Sequence, residues 1–328
     1  MTRLEVALLG FGNVGRAFAR HTSGDERIII RAVADSSGGI FFNSADEIER
    51  LMAHKERGRN VCDFAHGSFI KDAPEFINSL SPSGVRILVE SLPTNLRDGE
   101  PALGLIKRAL DDGVNVVTVD KGPLALGFDA LKEAARAGGA RLGYSGTIGV
   151  RLPDEVATER VLEIRGVLNG TTNYILTEMQ ESNVSFNEAL SAAESNGIAE
   201  PDPSLDIGGW DTLVKTLILA KTLMSANTTL AETSRIGIGP ETDSLIQKAR
   251  EMGRRVRLVG RARIWQGRVR VSVAPKMVGP DSPFYPVGGT SKLAVFRTES
   301  KGEVMAYARS GRDAISQTIM DDIIKLWE

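Results

Sequence analysis

The chain opens on an apolar run, LEVALL at residues 4 to 9, and changes periodicity directly after it. Six residues with almost no polar interruption predict a strand buried on both faces, because a strand with one wet face would alternate. The following RAFARH is made of helix-forming residues. The same alternation continues with strand Ile28 to Ala34, strand Val85 to Val89, helix Ala102 to Asp111, strand Asn115 to Val119, helix Phe128 to Ala137 and strand Ala140 to Tyr144. Strands separated by helical segments predict an α/β architecture built on a doubly wound parallel sheet.

Beyond Tyr144 the pattern changes. Ser145-Gly146-Thr147-Ile148-Gly149 and Pro153 predict a hinge, strand Arg160 to Leu168 follows, and Asn169-Gly170-Thr171-Thr172-Asn173-Tyr174 opens an amphipathic helix. Pro201 and Pro203 prevent an early helix start, and from about Leu205 onward Leu213, Val214, Leu217 and Ile218 fall at helical spacing. Gly208 and Gly209 would each cost a helix about 1 kcal/mol, so close approach of a ligand or of another backbone is expected there.

Chemistry enters at the punctuation between elements. Gly10-Phe11-Gly12-Asn13-Val14-Gly15 lies between the first strand and the first helix, where a pyrophosphate meets backbone N–H groups and the helix dipole. This context predicts a Rossmann-type dinucleotide-binding domain. Asp35, about 20 residues beyond the glycine turn, is placed to accept from the adenosine ribose hydroxyls, with Ser36 beside it; the alternative is a turn residue before Ser-Ser-Gly-Gly. An acid there favours NAD, whereas Lys55, Arg57 and Arg59 could serve a 2′-phosphate or simply be a solvated helix end, so NAD and NADP both stay open. Ligands of such sheets gather at the carboxyl ends of strands, which brings in the stretches Glu90 to Asn95 and Asp120 to Pro123. Ser91 and Thr94 there suit either cofactor contact or local capping, and Lys121 falls at the nicotinamide end.

In the second part, NGTTN suits either a turn with an N-cap or a nest of donors for a substrate carboxylate. Glu200, Asp202 and Asp206 crowd negative charge suited to an ammonium group. Asp211 and Lys215, four residues apart, share one helix face; as a surface ion pair they would contribute only about 0.3–0.5 kcal/mol.

Composition narrows the function classes. The 328 residues suffice for two domains, and 40 Lys plus Arg against 42 Asp plus Glu leave no basic field for nucleic acid or an anionic membrane. One cysteine, Cys62, excludes an internal disulfide and a cysteine-based metal cluster. The first apolar run is too short to span a membrane, so a cytoplasmic location is expected.

The run AESNGIAEPDPSLDIGGWDTLVK at 193 to 215 resembles the signature segment of homoserine dehydrogenases. GFGNVG, VVTVDKGPLA at 116 to 125 and NGTTNYIL at 169 to 176 follow that family in order and approximate spacing, so the resemblance spans nearly the whole chain. It implies NAD(P)-dependent interconversion of L-homoserine and L-aspartate 4-semialdehyde, on the route to threonine, isoleucine and methionine. It also implies a dinucleotide-binding domain at 1–145, joined by a C-terminal helical segment at about 306–328, and an α+β substrate-binding and dimerisation domain at 146–305, hence a homodimer. Carried over by residue, Lys215 and Lys121 handle the proton of the substrate oxygen, with Asp211 near the reacting hydroxyl. Glu200 holds the substrate amino group, and Gly170, Thr171, Gly197, Ile198 and Asp206 fall at substrate positions. Removing a hydroxyl proton during hydride transfer suits paired ammonium groups, which lower one another's proton affinity.

Three departures from the family stand out. Asp120 replaces the usual Asn before the first lysine. The hinge is altered, although Ile148 and Val150 could still offer backbone carbonyls to the monovalent cation that relatives bind there, such as sodium. Tyr307-Ala308-Arg309-Ser310-Gly311 replaces a glycine-rich segment, and Asp313 to Trp327 should be a helix packing on the nucleotide domain. The chain ends where longer relatives add a regulatory ACT domain, and no aspartate kinase precedes it, so feedback through such a domain is not expected. The rival readings are a sugar-type oxidoreductase, from the Glu-Lys-Pro-like Asp120-Lys121-Gly122-Pro123, and a catalytically silent NAD-binding regulator. Aspartate semialdehyde dehydrogenase would require a cysteine nucleophile, and Cys62 lies outside any such position.

Overall fold

The computed structural model describes residues 3–64, 66–309 and 312–327. It divides into two compact units, Met1–Thr147 with Gly311–Glu328, and Ile148–Ser310.

The first unit is a seven-stranded sheet of β1 (Leu4–Leu9), β2 (Ile28–Asp35), β3 (Gly38–Phe41), β4 (Ser68–Ile70), β5 (Ile87–Glu90), β6 (Asn115–Thr118) and β7 (Leu142–Gly143). Its spatial order is β4-β3-β2-β1-β5-β6-β7. The β2-β1-β5-β6-β7 strands are parallel, as the unbroken apolar runs predict: Val6, Ala7, Leu8, Ile87 and Leu88 are all fully buried. β3 and β4 add an antiparallel edge that periodicity did not show, because each has only three or four residues. The chain reverses its winding at β1 and β5, the switch point where ligands of doubly wound sheets bind.

The helix expected from Phe128 starts earlier and spans Lys121–Gly138, with a break at Gly127. Pro123 is tolerated because it stands in the first turn, and Asp120 caps the helix by accepting from the Gly122 N–H at 2.9 Å. The helix Arg312–Trp327 contributes Ile319, Met320, Ile323 and Leu326 to the core of this unit.

The second unit carries a six-stranded sheet of β8 (Val161–Val167), β9 (Ser234–Arg235), β10 (Arg255–Trp265), β11 (Arg268–Val278), β12 (Ser291–Thr298) and β13 (Glu303–Arg309), in the order β13-β12-β8-β10-β11-β9. Residues 306–309 thus belong to this sheet, paired with β12, and not to the C-terminal helix. The expected helix from about Leu205 is two helices, Ser204–Ile207 and Trp210–Met224. Gly209 separates them at φ +79, and a Cβ on Gly237 would strike the Ile207 carbonyl. The bare backbone of Gly237 therefore packs on the Ile207–Gly208 segment, and the Ile238 N–H donates to the Ile207 carbonyl at 2.8 Å. Among the described residues no helix is long and apolar enough to cross a membrane.

Candidate functional site

In the first unit the glycine turn is shaped by close packing. Gly10 has φ +100, and a Cβ there would sit 2.7 Å from the Ser91 carbonyl oxygen. The Ser91 hydroxyl donates to the Gly10 carbonyl at 3.0 Å, so Ser91 braces the turn from the end of β5. Gly12 is the N-cap of helix Asn13–His21, which has no acidic residue in its first turn, and it faces open space. Phe11 is buried in the core, while Asn13 is exposed and accepts from the Arg16 guanidinium at 3.1 Å; Val14 packs against the core. A positive-φ glycine, a helix start with no side-chain cap and a first turn without an acidic residue fit a pyrophosphate.

Asp35 ends β2 as expected, but it already has partners. It accepts from Lys55 Nζ at 2.7 Å and from the Ser37 N–H and hydroxyl at 2.8 and 2.5 Å. Burial opposes its charge, yet the lysine and the serine outweigh this and hold its pKa below the usual carboxylate range. Lys55 is thereby separated from Arg57 and Arg59, which are exposed together with Ser36.

Beside the switch point sits a pair of buried carboxyls that sequence reasoning passed over. Glu90, fully buried at the end of β5, accepts from the Leu92 N–H at 2.6 Å and contacts the Thr118 hydroxyl at 2.5 Å. Its pKa is pushed up to about 8, first by burial and then by the charge of Asp120. Asp120 is 1% exposed; its pKa is also raised by burial, against opposing bonds from Gly122 and Thr94, and its Oδ2 has no hydrogen-bond partner among the described residues. The only sequence signal was Asp120 in place of the family's Asn. Lys121, partly buried, is the first residue of the helix that Asp120 caps.

In the second unit a compact polar cluster forms around Asn169, the N-cap of helix Gly170–Glu181. Its side-chain oxygen accepts from the Thr172 N–H at 2.8 Å, and its amide donates to Asp206 at 2.7 Å and to Asp211 at 2.9 Å. Lys215 Nζ donates to Asp211 at 2.6 Å and to the Leu168 carbonyl at 3.1 Å. Lys215 is only 8% exposed, so the pair is not a solvated surface bridge. Asp206 has its pKa raised by burial and by the Asp211 charge, opposed by bonds from Thr171 and Asn169 and by the Lys215 charge.

Thr171 donates to the Ile198 carbonyl at 3.2 Å, which brings the 197–198 turn to the helix start that holds Gly170. Gly197 has φ +65 and, like Glu200, is exposed. Asn169, read from sequence as part of a turn with an N-cap or of a donor nest, thus joins Asp206 to Asp211, which in turn holds Lys215.

At the start of this unit, Ile148 and Val150 are buried and Gly149 has φ +73. A Cβ on Gly149 would lie 3.1 Å from Lys292 Nζ and 4.0 Å from Lys215 Nζ. Lys292 was not singled out by any motif. Among the described residues no cluster of three or more His, Cys, Asp or Glu could hold a metal ion. Of the altered C-terminal segment, Tyr307 accepts or donates at 2.7 Å with Ser291, while Ser310 and Gly311 lie outside the described residues.

Both halves of the chain match dehydrogenases. The family model described as Homoserine dehydrogenase matches residues 150–324, and that described as Glutamate/Leucine/Phenylalanine/Valine dehydrogenase matches residues 1–89. The chain is 33% identical to an NAD(+)-dependent homoserine dehydrogenase of Pseudomonas canavaninivorans, over 99% of this chain and 97% of that one. It is 30% identical to a homoserine dehydrogenase of Methanocaldococcus jannaschii, over 99% and 98%. A hyperthermophilic archaeal homoserine dehydrogenase solved in complex with NADPH has a TM-score of 0.80 at 27% identity, over 99% and 98% of the two chains.

Proposed function

This chain belongs to the homoserine dehydrogenase family of NAD(P)-dependent oxidoreductases of amino-acid biosynthesis, and from that premise we propose that Lys215 is its acid–base group. The observation that carries the assignment is the buried Lys215–Asp211–Asn169–Asp206 cluster. The substrates are L-homoserine and L-aspartate 4-semialdehyde. The bound nicotinamide supplies or accepts the hydride. In reduction, the Lys215 ammonium gives a proton to the oxygen of the aldehyde as it becomes an alcohol; in oxidation, the neutral amine takes that proton back. Asp211, held by Asn169 and Lys215, fixes the direction in which the ammonium points.

Asp206 and Glu200 receive the substrate ammonium, which offsets the repulsion between Asp206 and Asp211. Gly170 and Thr171, at the start of the twelve-residue helix Gly170–Glu181, receive the carboxylate, next to Gly197 and Ile198. Lys121 is assigned the second proton-handling role on the motif VVTVDKGPLA alone. Gly10 to Gly15 hold the pyrophosphate, with Ser91 bracing the turn, Thr94 beside Asp120, and Asp35 at the ribose. Because Lys55 neutralises Asp35, both NAD and NADP are used.

The protein acts as a cytoplasmic homodimer that pairs through the second unit. Exposed Ile236, Ile264, Trp265 and Met305 in that unit support this reading. The deciding experiment is Lys215→Ala assayed with aspartate semialdehyde and reduced nicotinamide, following absorbance. Turnover should fall about 100-fold or more with cofactor binding retained. Near-normal turnover would overturn the assignment.

A further inference from the structure

Asp35, at the end of β2, has its charge matched by Lys55. On the other side of the glycine turn β5 and β6 follow β1 in the sheet, and both lead into buried carboxyls: Glu90 ends β5, and Asp120 stands two residues beyond β6. Glu90 and Thr118 are partners in register. The Thr118 hydroxyl lies 2.5 Å from Glu90 Oε2 and accepts from the Asp120 N–H at 3.0 Å, so one hydroxyl joins the two acidic residues. Asp120 Oδ2 is buried with no hydrogen-bond partner among the described residues, which is unfavourable for a carboxylate oxygen shut off from water.

Two carboxyls placed in this way resist ionising together, because each charge opposes the other and the pair titrates as a unit. Lys121, next in the chain, bears on Asp120 with the opposite sign. β1 sets the uncharged Leu9 beside Glu90. Arg97, Asp98 and Glu100 on the loop after β5 and Lys107 and Arg108 on helix Ala102–Asp111 are exposed, and Asp322 on the C-terminal helix is engaged with Ser145.

With the pyrophosphate at Gly10 to Gly15 and the ribose at Asp35, the nicotinamide falls on the β5 and β6 side. The reduced ring is neutral and the oxidised ring carries one positive charge. A positive charge favours the doubly ionised pair, whereas a neutral ring leaves the proton in place. We propose that Glu90 and Asp120 form a one-proton carboxyl pair that responds to the charge of the nicotinamide, keeping its proton beside the reduced ring and releasing it to solvent beside the oxidised ring. The proposal rests on the cofactor site assigned above and adds to it a dependence of cofactor preference on pH. Oxidised nucleotide gains affinity as pH rises, because the proton that must leave is already gone; reduced nucleotide does not.

The test is isothermal titration calorimetry of the whole protein with NAD+ and with NADH, in two buffers of different ionisation enthalpy, which counts the protons exchanged per nucleotide bound. The 2′-phosphorylated nucleotides are avoided because a phosphate monoester itself titrates at about pH 6. Glu90 is pushed up to about 8 without nucleotide. If the oxidised ring lowers this by about one pH unit, NAD+ should release about half a proton at pH 7.5, and NADH about none. By linkage, NAD+ affinity should rise about 5- to 10-fold relative to NADH affinity between pH 6 and pH 9. Glu90→Gln removes the titrating group and should abolish both effects. Asp120→Asn removes the opposing charge and should move the release to lower pH.

Equal proton counts for NAD+ and NADH in the wild type would overturn the proposal. So would a release that survives Glu90→Gln, since Lys121 and Lys215 are intact in that variant. If Glu90→Gln fails to fold, the wild type and Asp120→Asn still decide. A protein that binds neither nucleotide would overturn the cofactor assignment itself, and the proposal with it. The titration involves no turnover, so its outcome is independent of whether Lys215 is the acid–base group.

Discussion

The buried carboxyl of Glu90 makes the stability of the first unit depend on pH in a way that can be worked out. Its unfolded value is 4.5 and its folded value about 8, and the side chain is fully buried, so solvent screening does not reduce the effect. The folded state therefore binds the proton more tightly than the unfolded chain. Stability from this group is complete below pH 4.5 and is lost progressively as pH rises toward 8, at up to about 1.4 kcal/mol per pH unit. Across the whole window that amounts to about 5 kcal/mol as a ceiling. Glu90→Gln should remove the Glu90 share of this dependence while keeping the packing, because the amide can donate to Thr118 and accept from the Leu92 N–H.

Hydrogen-exchange mass spectrometry on peptides covering β5 and β6, between pH 5.5 and 9, reads this unit separately from the other. After correction for intrinsic exchange, the variant and the wild type should have similar opening free energies at pH 5.5. The variant should be more stable by a few kcal/mol at pH 9. A difference that stays constant across the range would refute the assignment of a raised pKa to Glu90.

Three further outcomes follow from the same contacts. Asn169→Ala removes a helix cap and the donor to both Asp206 and Asp211; it should cost about 1–2 kcal/mol in denaturant unfolding and lower kcat, and an unchanged kcat would mean the cluster is not catalytic. Lys55→Ala should expose the Asp35 charge to a 2′-phosphate, so fluorescence titration should show NADPH affinity falling several-fold more than NADH affinity; equal losses would argue that Asp35 does not face the ribose. Asp206, with its pKa raised by burial and Asp211, must be ionised to hold an ammonium group, so KM for homoserine should rise as pH falls, and Asp206→Asn should flatten that rise while raising KM throughout.

The parallel sheet was legible because its signal is local. An unbroken apolar strand followed by a glycine turn and a helix leaves little choice of architecture, and β1, Gly10 and Asp35 stand where that pattern puts them. The strands of the second unit from β9 onward were not read, because β10 to β13 form a largely antiparallel sheet whose register is fixed by pairing between distant segments. A close backbone approach does occur at 208 and 209, but the fold shows that the glycine it requires is Gly237, on the approaching segment. Lys292 lay beyond sequence reasoning altogether: it is 143 residues from Gly149 in the chain, and no spacing rule connects them.

Asp211 and Lys215 show the same limit in energetic form. Four residues apart on a helix, such a pair in water contributes little, and spacing alone offers no reason to single it out; only the family resemblance did. In the fold the two side chains are about nine-tenths buried, at 12% and 10% exposure, and the sign of the argument changes. Desolvating two charges costs several kcal/mol, which their mutual attraction only partly returns, so an apolar pair of similar volume would serve stability as well or better. What an apolar pair could not provide is a proton held at a fixed point, with Asn169 and the Leu168 carbonyl setting its direction. With Lys215 as the proposed acid–base group, the electrostatic cost is accepted on helix Trp210–Met224 because a movable proton has a use there.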